Sequence, residues 1–307
     1  MYLPKPKTLH SERTTKRAVE VARPGTLTTV QDAGRRGLAH LGVPRSGALD
    51  PVAFARANRL VGNRGDAPVL ETTLDGVGLV FRSAGVVAVT GAYAKVQLDD
   101  KPVAWSMPVA VKAGSLLDVG PAEAGVRCYV AVAGGFDVAK TLGSCSTDLL
   151  SGLGPAPLVA GQCLAVGPRQ GPVPAVDVAP YPWPSRQLTL PAHPGPRRSW
   201  LSERAEHALF AQAYRVSPRS NRVALRLIGE PLERRPEREL PSEGLVWGAV
   251  QLLGTGELVV FLADHPTTGG YPVVAVVDHG AAPACAQARP GDLVTIVPAS
   301  HGGFRGW

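Results

Sequence analysis

The chain has 307 residues, 45% of them hydrophobic and 19% charged, with a formal charge of +7. This is enough apolar material for two domains with their own cores, and too little charge for a disordered polyelectrolyte. More than half of the excess charge sits in residues 1–18, where Lys5, Lys7, Arg13, Lys16 and Arg17 face Glu12 alone. That pattern reads as a disordered, solvated basic tail and excludes a nucleic-acid-binding domain, since no nucleic-acid motif accompanies it.

The tail has no apolar stretch of the kind a secretory signal needs, and no run of about 18 apolar residues follows, so a cytoplasmic protein without membrane spans is expected. The 35 glycines and 29 prolines, set between short Val-rich runs, predict a mainly β architecture. After the tail, a short β-like run ends at Gln31-Asp32. Two polar glycine-rich loops come next, Gly34-Arg35-Arg36-Gly37 and Gly42-Val43-Pro44-Arg45-Ser46-Gly47. Asp50-Pro51 opens a helix, with Asp as N-cap and Pro at the first helical position. Leu49, Phe54, Ala57 and Leu60/Val61 form its apolar stripe, and Gly62 ends it. Of the four cysteines, Cys128, Cys163 and Cys285 read as core thiols, whereas Cys145 lies in a Ser-rich loop that suits an exposed thiol. The seven histidines lack metal-ligand spacing, so no metal site is expected.

Nine prolines between residues 168 and 197 mark a linker. They divide the chain into a first domain over 19–185 and a second over 186–307. In the second, Ser202 is placed to cap a helix over residues 203–214. Strands are predicted over residues 222–228, 248–253, 258–262, 273–277 and 293–297. The strand ending at Leu262 runs into Ala263-Asp264-His265-Pro266-Thr267-Thr268-Gly269-Gly270-Tyr271. A carboxylate, two hydroxyls, two glycines and a phenol at a strand end suit either a ligand-cradling loop or a tight turn capped by its own Asp.

The segment Pro24–Gly76 carries the motifs Gly-Thr-Leu-Thr-Thr-Val-Gln-Asp-Ala-Gly and Gly-Val-Pro-Arg-Ser-Gly-Ala-Leu-Asp-Pro. With Gly134-Gly135-Phe136, Leu142–Leu149, Gly248–Gln251, the Asp264–Tyr271 loop and Gln287-x-x-Pro290-Gly291-Asp292, it resembles the biotin-dependent carboxyltransferase family, also called allophanate hydrolase subunit 2. The similarity runs from about Val19 to Val297. The family includes the C-type subunit of ATP-dependent 5-oxoprolinase and half of the carboxyltransferase domain of urea carboxylase. This sequence departs from the family pattern at Cys145, Trp247, Pro266 and Val223-Ala224, which bears on substrate more than on fold.

The resemblance implies two tandem cyclophilin-like β-barrels with a few short helices. It implies ATP at a site shared between subunits, a homologue of the B-type subunit as partner, a lactam-utilisation subunit, and opening of 5-oxoproline to glutamate. The alternatives are half of a urea-type carboxyltransferase, with biotin on another chain because no Met-Lys-Met occurs here, and a non-catalytic regulatory partner. No phosphate loop or Gly-x-Ser-x-Gly elbow is present, so dipoles, amides and charges would carry any chemistry.

The site residues expected on this reading are Asp32 and Asp264 as general bases or orienting groups. Arg35 would bind an anion or pair with Asp32 or Asp50. Gln31, Gln251 and Gln287 are candidates for a lactam or ureido group, because each amide both donates and accepts. Ser46, Thr267, Thr268, Gly269, Gly270 and Tyr271 complete the set. Each of these also has a purely structural reading as a turn or loop fastener.

Overall fold

The structure is a computed structural model describing residues 17–175, 183–235 and 239–299. The first half holds strands β1 (Ala18–Arg23), β2 (Leu27–Gln31), β3 (Val69–Thr73), β4 (Val77–Phe81), β5 (Gly85–Leu98), β6 (Lys101–Val103), β7 (Val109–Val111), β8 (Leu116–Val132) and β9 (Cys163–Ala165). Helix α1 (Pro51–Leu60) lies between β2 and β3. The second half holds β10 (Gln187–Pro194), helix α2 (Glu203–Ala211), β11 (Ala213–Val216), β12 (Ala224–Ile228), β13 (Glu243–Gly244), β14 (Ala249–Leu252), β15 (Leu258–Phe261), β16 (Thr268–Gly269), β17 (Val273–Val277) and β18 (Leu293–Pro298).

The second half is a closed barrel in the order β10-β17-β14-β15-β12-β11-β18, sealed by parallel pairing of β10 with β18. The first half corrects the expectation of two barrels. Its nine strands form an open, curled sheet, β2-β3-β8-β4-β1-β9, with β5 running along the other edge of β8. The 17-residue β8 explains the shape: Leu116–Val119 pairs with β4 and Arg127–Val130 with β3, so one bent strand serves two segments of the sheet. At the β2 edge the ladder is continued by a loop, with Thr147 N–H donating to Val30 C=O (2.9 Å) and Leu158 N–H to Thr28 C=O (2.9 Å). These bonds satisfy an edge that would otherwise present unpaired backbone groups.

Local sequence rules account for the helices. Asp50 caps α1 by accepting from the N–H groups of Val52 and Ala53, and Phe54, Ala57 and Leu60 are buried against β5 and β8. Ser202 caps α2 through Ala205 N–H (3.1 Å). The predicted extension to residue 214 is corrected, because Tyr214 belongs to β11 and pairs with Val294. The barrel ladder takes that residue out of the helix, and its ring is buried in the barrel core. Part of the Pro-rich stretch is also strand, since β10 contains Pro191, which only accepts, from Asp278 N–H (2.7 Å). The cysteine readings are reversed at two positions: Cys145 is buried and Cys163 is exposed. Ala18 pairs with Ala165 and the Arg17 guanidinium donates to Gly167 and Ala133 carbonyls, so the last two residues assigned to the tail are ordered. Residues 1–16 lie outside the described residues. Among the described residues no helix is long and apolar enough to cross a membrane.

The two halves are interlocked. Leu49, from the loop before α1, is fully buried and belongs to the barrel's core cluster. Gln287 accepts from Val126 N–H (2.9 Å) and Arg127 N–H (3.0 Å) on β8, and its amide donates to Asp50 (3.0 Å). Arg127 returns a bond to Ala286 C=O (2.6 Å).

Candidate functional site

A charged cluster is buried at the seam between the halves, and its centre is Arg222, just before β12. The guanidinium makes a two-pronged contact with Asp264 (2.9 Å for each nitrogen), pairs with Glu71 on β3, and donates to Gly47 C=O (2.7 Å). Planar guanidinium and carboxylate match in such a fork, which fixes orientation as well as charge. The second oxygen of Glu71 accepts from Leu49 N–H (2.9 Å) and from the Tyr129 hydroxyl (2.8 Å), and Arg127 stands 3.6 Å from the first. Burial alone would raise the Glu71 pKa. The guanidinium groups of Arg222 and Arg127, with the bonds from Leu49 and Tyr129, outweigh it and hold the carboxyl below the ordinary range. Burial likewise disfavours the Arg222 cation, and Glu71 and Asp264 more than restore it.

Asp264 is therefore bound on all sides. Besides Arg222 it lies 2.9 Å from the Ser46 hydroxyl, which is also 2.9 Å from Thr147 C=O. The Gln31 amide donates to the same carbonyl (3.0 Å), so Gln31, Ser46 and Asp264 do converge, through Thr147, but inside the protein. Asp32 is fastened to the loop that begins at Ser144. Its carboxylate accepts from the Ser144 and Ser146 hydroxyls (2.5 and 2.6 Å) and from the N–H groups of Cys145 (2.6 Å) and Gly34 (2.8 Å). Gln251 donates to Tyr271 C=O (2.9 Å), and Thr268-Gly269 forms the short pair β13–β16. Thr268, Gly270 and Tyr271 face solvent.

Beside the seam lies a cleft of about 740 Å³ walled by both halves. The glycine-rich loops of the first half contribute Arg35, Arg36 and Arg45. The second half contributes Trp247, His265 and Thr267. Gly34 is needed where this wall begins: it has φ +81°, and a Cβ there would come within 2.6 Å of the carbonyl oxygens of Arg45 and Ser46. Of the twelve residues expected from the sequence, Arg35 and Thr267 line this cleft. Gln287 lines a smaller cavity of about 330 Å³.

Arg35 is buried against the loop that holds Asp32, donating from Nε to Thr141 C=O (3.0 Å) and from Nη2 to Ser146 C=O (2.6 Å). Its Nη1 has no partner, and the indole Nε1 of Trp247 is equally buried and unpartnered. Arg45 stacks over the Trp247 ring, 5.2 Å from its centroid. Burial, and then Arg36 nearby, lower the Arg45 pKa. His265 sits with Nδ1 2.7 Å from Pro266 C=O, and its pKa is lowered chiefly by burial. Sequence reasoning missed Arg222, Glu71, Arg45 and Trp247 as site residues. Trp247 did carry a signal, since it is one of the departures from the family pattern.

Residues 41–298 match the family model described as carboxyltransferase domain, subdomain A and B. The chain belongs to that family. It is 39% identical over 265 residues to the 5-oxoprolinase C-type subunit of Escherichia coli (strain K12), covering 84% of each chain. It is 33% identical to the urea amidolyase of Lachancea kluyveri over 92% of this chain, which amounts to only 17% of that protein. The solved structure of the K. lactis urea amidolyase superposes with a TM-score of 0.86 at 32% identity, over 94% of this chain and 19% of that one.

Proposed function

We propose that this chain is one half of a two-part enzyme acting on the carbonyl–nitrogen group of a small substrate, held in the cleft between the open sheet and the barrel. The observation that carries the reading is the cleft itself, walled by both halves in a chain that aligns over 84% of its own length and of the E. coli 5-oxoprolinase C-type subunit. On that basis the chain acts as the C-type subunit of a 5-oxoprolinase complex, together with a homologue of the B-type subunit and a lactam-utilisation subunit. The ring amide of 5-oxoproline is a poor electrophile, and ATP, when bound, would supply the phosphoryl group that activates its oxygen. The basic lining of the cleft, Arg35, Arg36 and Arg45, suits phosphate oxygens, and these are the residues of this chain that would meet them.

A second reading has its own support: the matching family model is a carboxyltransferase domain, and urea amidolyases are among the relatives. In that case the same cleft would receive a carboxylated ureido group, with biotin supplied by another chain. Asp32 and Asp264 serve either chemistry as positioning groups, Asp32 by holding the Arg35 loop and Asp264 by holding Ser46 and the start of the His265 segment.

The test is reconstitution. Co-expression with homologues of the B-type and lactam-utilisation subunits should give one complex on size exclusion, with an interface above about 1,000 Å² to the B-type subunit. ATP turnover is then measured with 5-oxoproline, with urea and with neither. Stimulation by 5-oxoproline supports the first reading and biotin-dependent stimulation by urea the second. Separate elution, or turnover indifferent to both substrates, overturns the proposal.

A further inference from the structure

We infer that the cleft is an oxyanion site, in which Arg35, Arg45 and Trp247 grip one carboxylate- or phosphate-type group. This deepens the functional reading, and rests on it only for which anion is bound.

Three features of the wall converge on this. The first is charge: Arg35, Arg36 and Arg45 line the cleft against a single carboxylate, Asp278, which faces His193 at 3.6 Å and accepts from Gly280 N–H. Neither Arg36 nor Arg45 has a carboxylate partner among the described residues, although Arg45 is partly buried and lies close enough to Arg36 to feel its charge. Like charges gathered in a partly dry recess are unfavourable unless an anion joins them.

The second feature is the pair of unused donors. Arg35 Nη1 and Trp247 Nε1 are both buried, both unpartnered, and both belong to residues of the same cleft. A buried donor left unmade costs more than an average hydrogen bond returns, so two of them, one from each half lining the same cleft, point to an acceptor that completes them. The third is rigidity. Arg35 is fixed through its other two nitrogens to Thr141 and Ser146, and Arg45 by its stacking on Trp247. The donors are therefore presented by groups already held in place, which lowers the ordering cost of binding. A carboxylate or a phosphoryl group meets these requirements, because each offers several acceptor oxygens to a planar fork and a neighbouring N–H. A neutral amide offers one.

Isothermal titration calorimetry of the full chain at low ionic strength tests this with three probes: inorganic phosphate, L-5-oxoproline and the uncharged lactam 2-pyrrolidinone. Binding of phosphate, of 5-oxoproline or of both supports the site and identifies its anion, and 2-pyrrolidinone should give no heat. Arg45→Gln removes a charge, and Trp247→Phe removes the indole N–H while leaving a smaller aromatic ring under Arg45. Each should weaken the bound anion about ten- to a hundredfold. Their thermal unfolding confirms that they remain folded. The inference is overturned if neither anion binds, if 2-pyrrolidinone binds as well as 5-oxoproline, or if both variants retain the parent affinity. Loss of anion binding in the variants while the reconstituted complex ignores 5-oxoproline and urea would leave the site standing and remove the functional reading. An active complex whose anion affinity is untouched by both substitutions would do the reverse.

Discussion

At the seam, every nitrogen of Arg222 meets an internal acceptor, whereas in the cleft wall Arg35 leaves one nitrogen unmatched. Both side chains are buried, and both come from loops beside short strands. The difference lies in what surrounds them. Arg222 faces Glu71 and Asp264, two carboxylates fixed on opposite halves, so its charge is consumed in joining them. Arg35 is bonded to backbone carbonyls and lines a cleft with two more arginines. In Arg222 the acceptors are complete and carboxylates of both halves supply them; in Arg35 they are incomplete and the side chain lines a cleft.

The largest expected effect breaks the first member of that comparison. Arg222→Met leaves Glu71 and Asp264 buried without their counter-charge and should cost about 3–5 kcal/mol in urea-induced unfolding. A loss under about 1 kcal/mol would show that the seam does not depend on this residue. Asp32→Ala should come next, at about 1–3 kcal/mol, because the hydroxyls of Ser144 and Ser146 and the N–H of Cys145 lose a shared acceptor. If Asp32 acts in positioning, the reconstituted complex should lose activity in proportion to the disorder of Arg35. If it is the general base, kcat should fall further than the loss of stability and of Arg35 order accounts for.

A smaller effect is expected on acidification. Glu71 has a folded-state pKa below its ordinary 4.5, so its contribution is complete above that value. It declines as pH falls from there through the folded pKa, where the unfolded chain takes up the proton first. Unfolding measured between neutral and acid pH should show this slope, and Glu71→Gln should flatten it while lowering stability at pH 7. The smallest effect belongs to the cleft: Arg36→Ala, at an exposed position, should change stability by no more than about 0.5 kcal/mol. A stability loss as large as that of Arg222→Met would erase the distinction between seam and cleft.

Much of the fold was legible because local chemistry fixed it. Asp50 and Pro51 declare the start of α1, the strand at Val273–Val277 matches its apolar run, and Ser202 caps α2. The open first sheet was not legible, because closure depends on where a long strand such as β8 changes partners, and no period in its sequence records that. The site divides in the same way. The glycine-rich loops bearing Arg35 and Ser46 stood out by composition. Arg222, between an asparagine and a run of apolar residues, carried no local mark, and its role exists only where Glu71 and Asp264, 193 positions apart in the chain, meet it. Gln287, a candidate ligand group with a structural alternative, satisfies backbone amides on β8, a pairing set by tertiary packing alone.

The placement of Leu49 has a consequence for how the molecule comes apart. A side chain from the first half completes the interior of the barrel in the second, while its neighbour Asp50 caps a helix of the first and binds Gln287 of the second. Neither half can melt without opening a hole or stranding a polar group in the other. Two architectures that look separable along the chain should therefore unfold in a single cooperative transition, and a fragment beginning at the Pro-rich stretch should be a barrel missing a piece of its own interior.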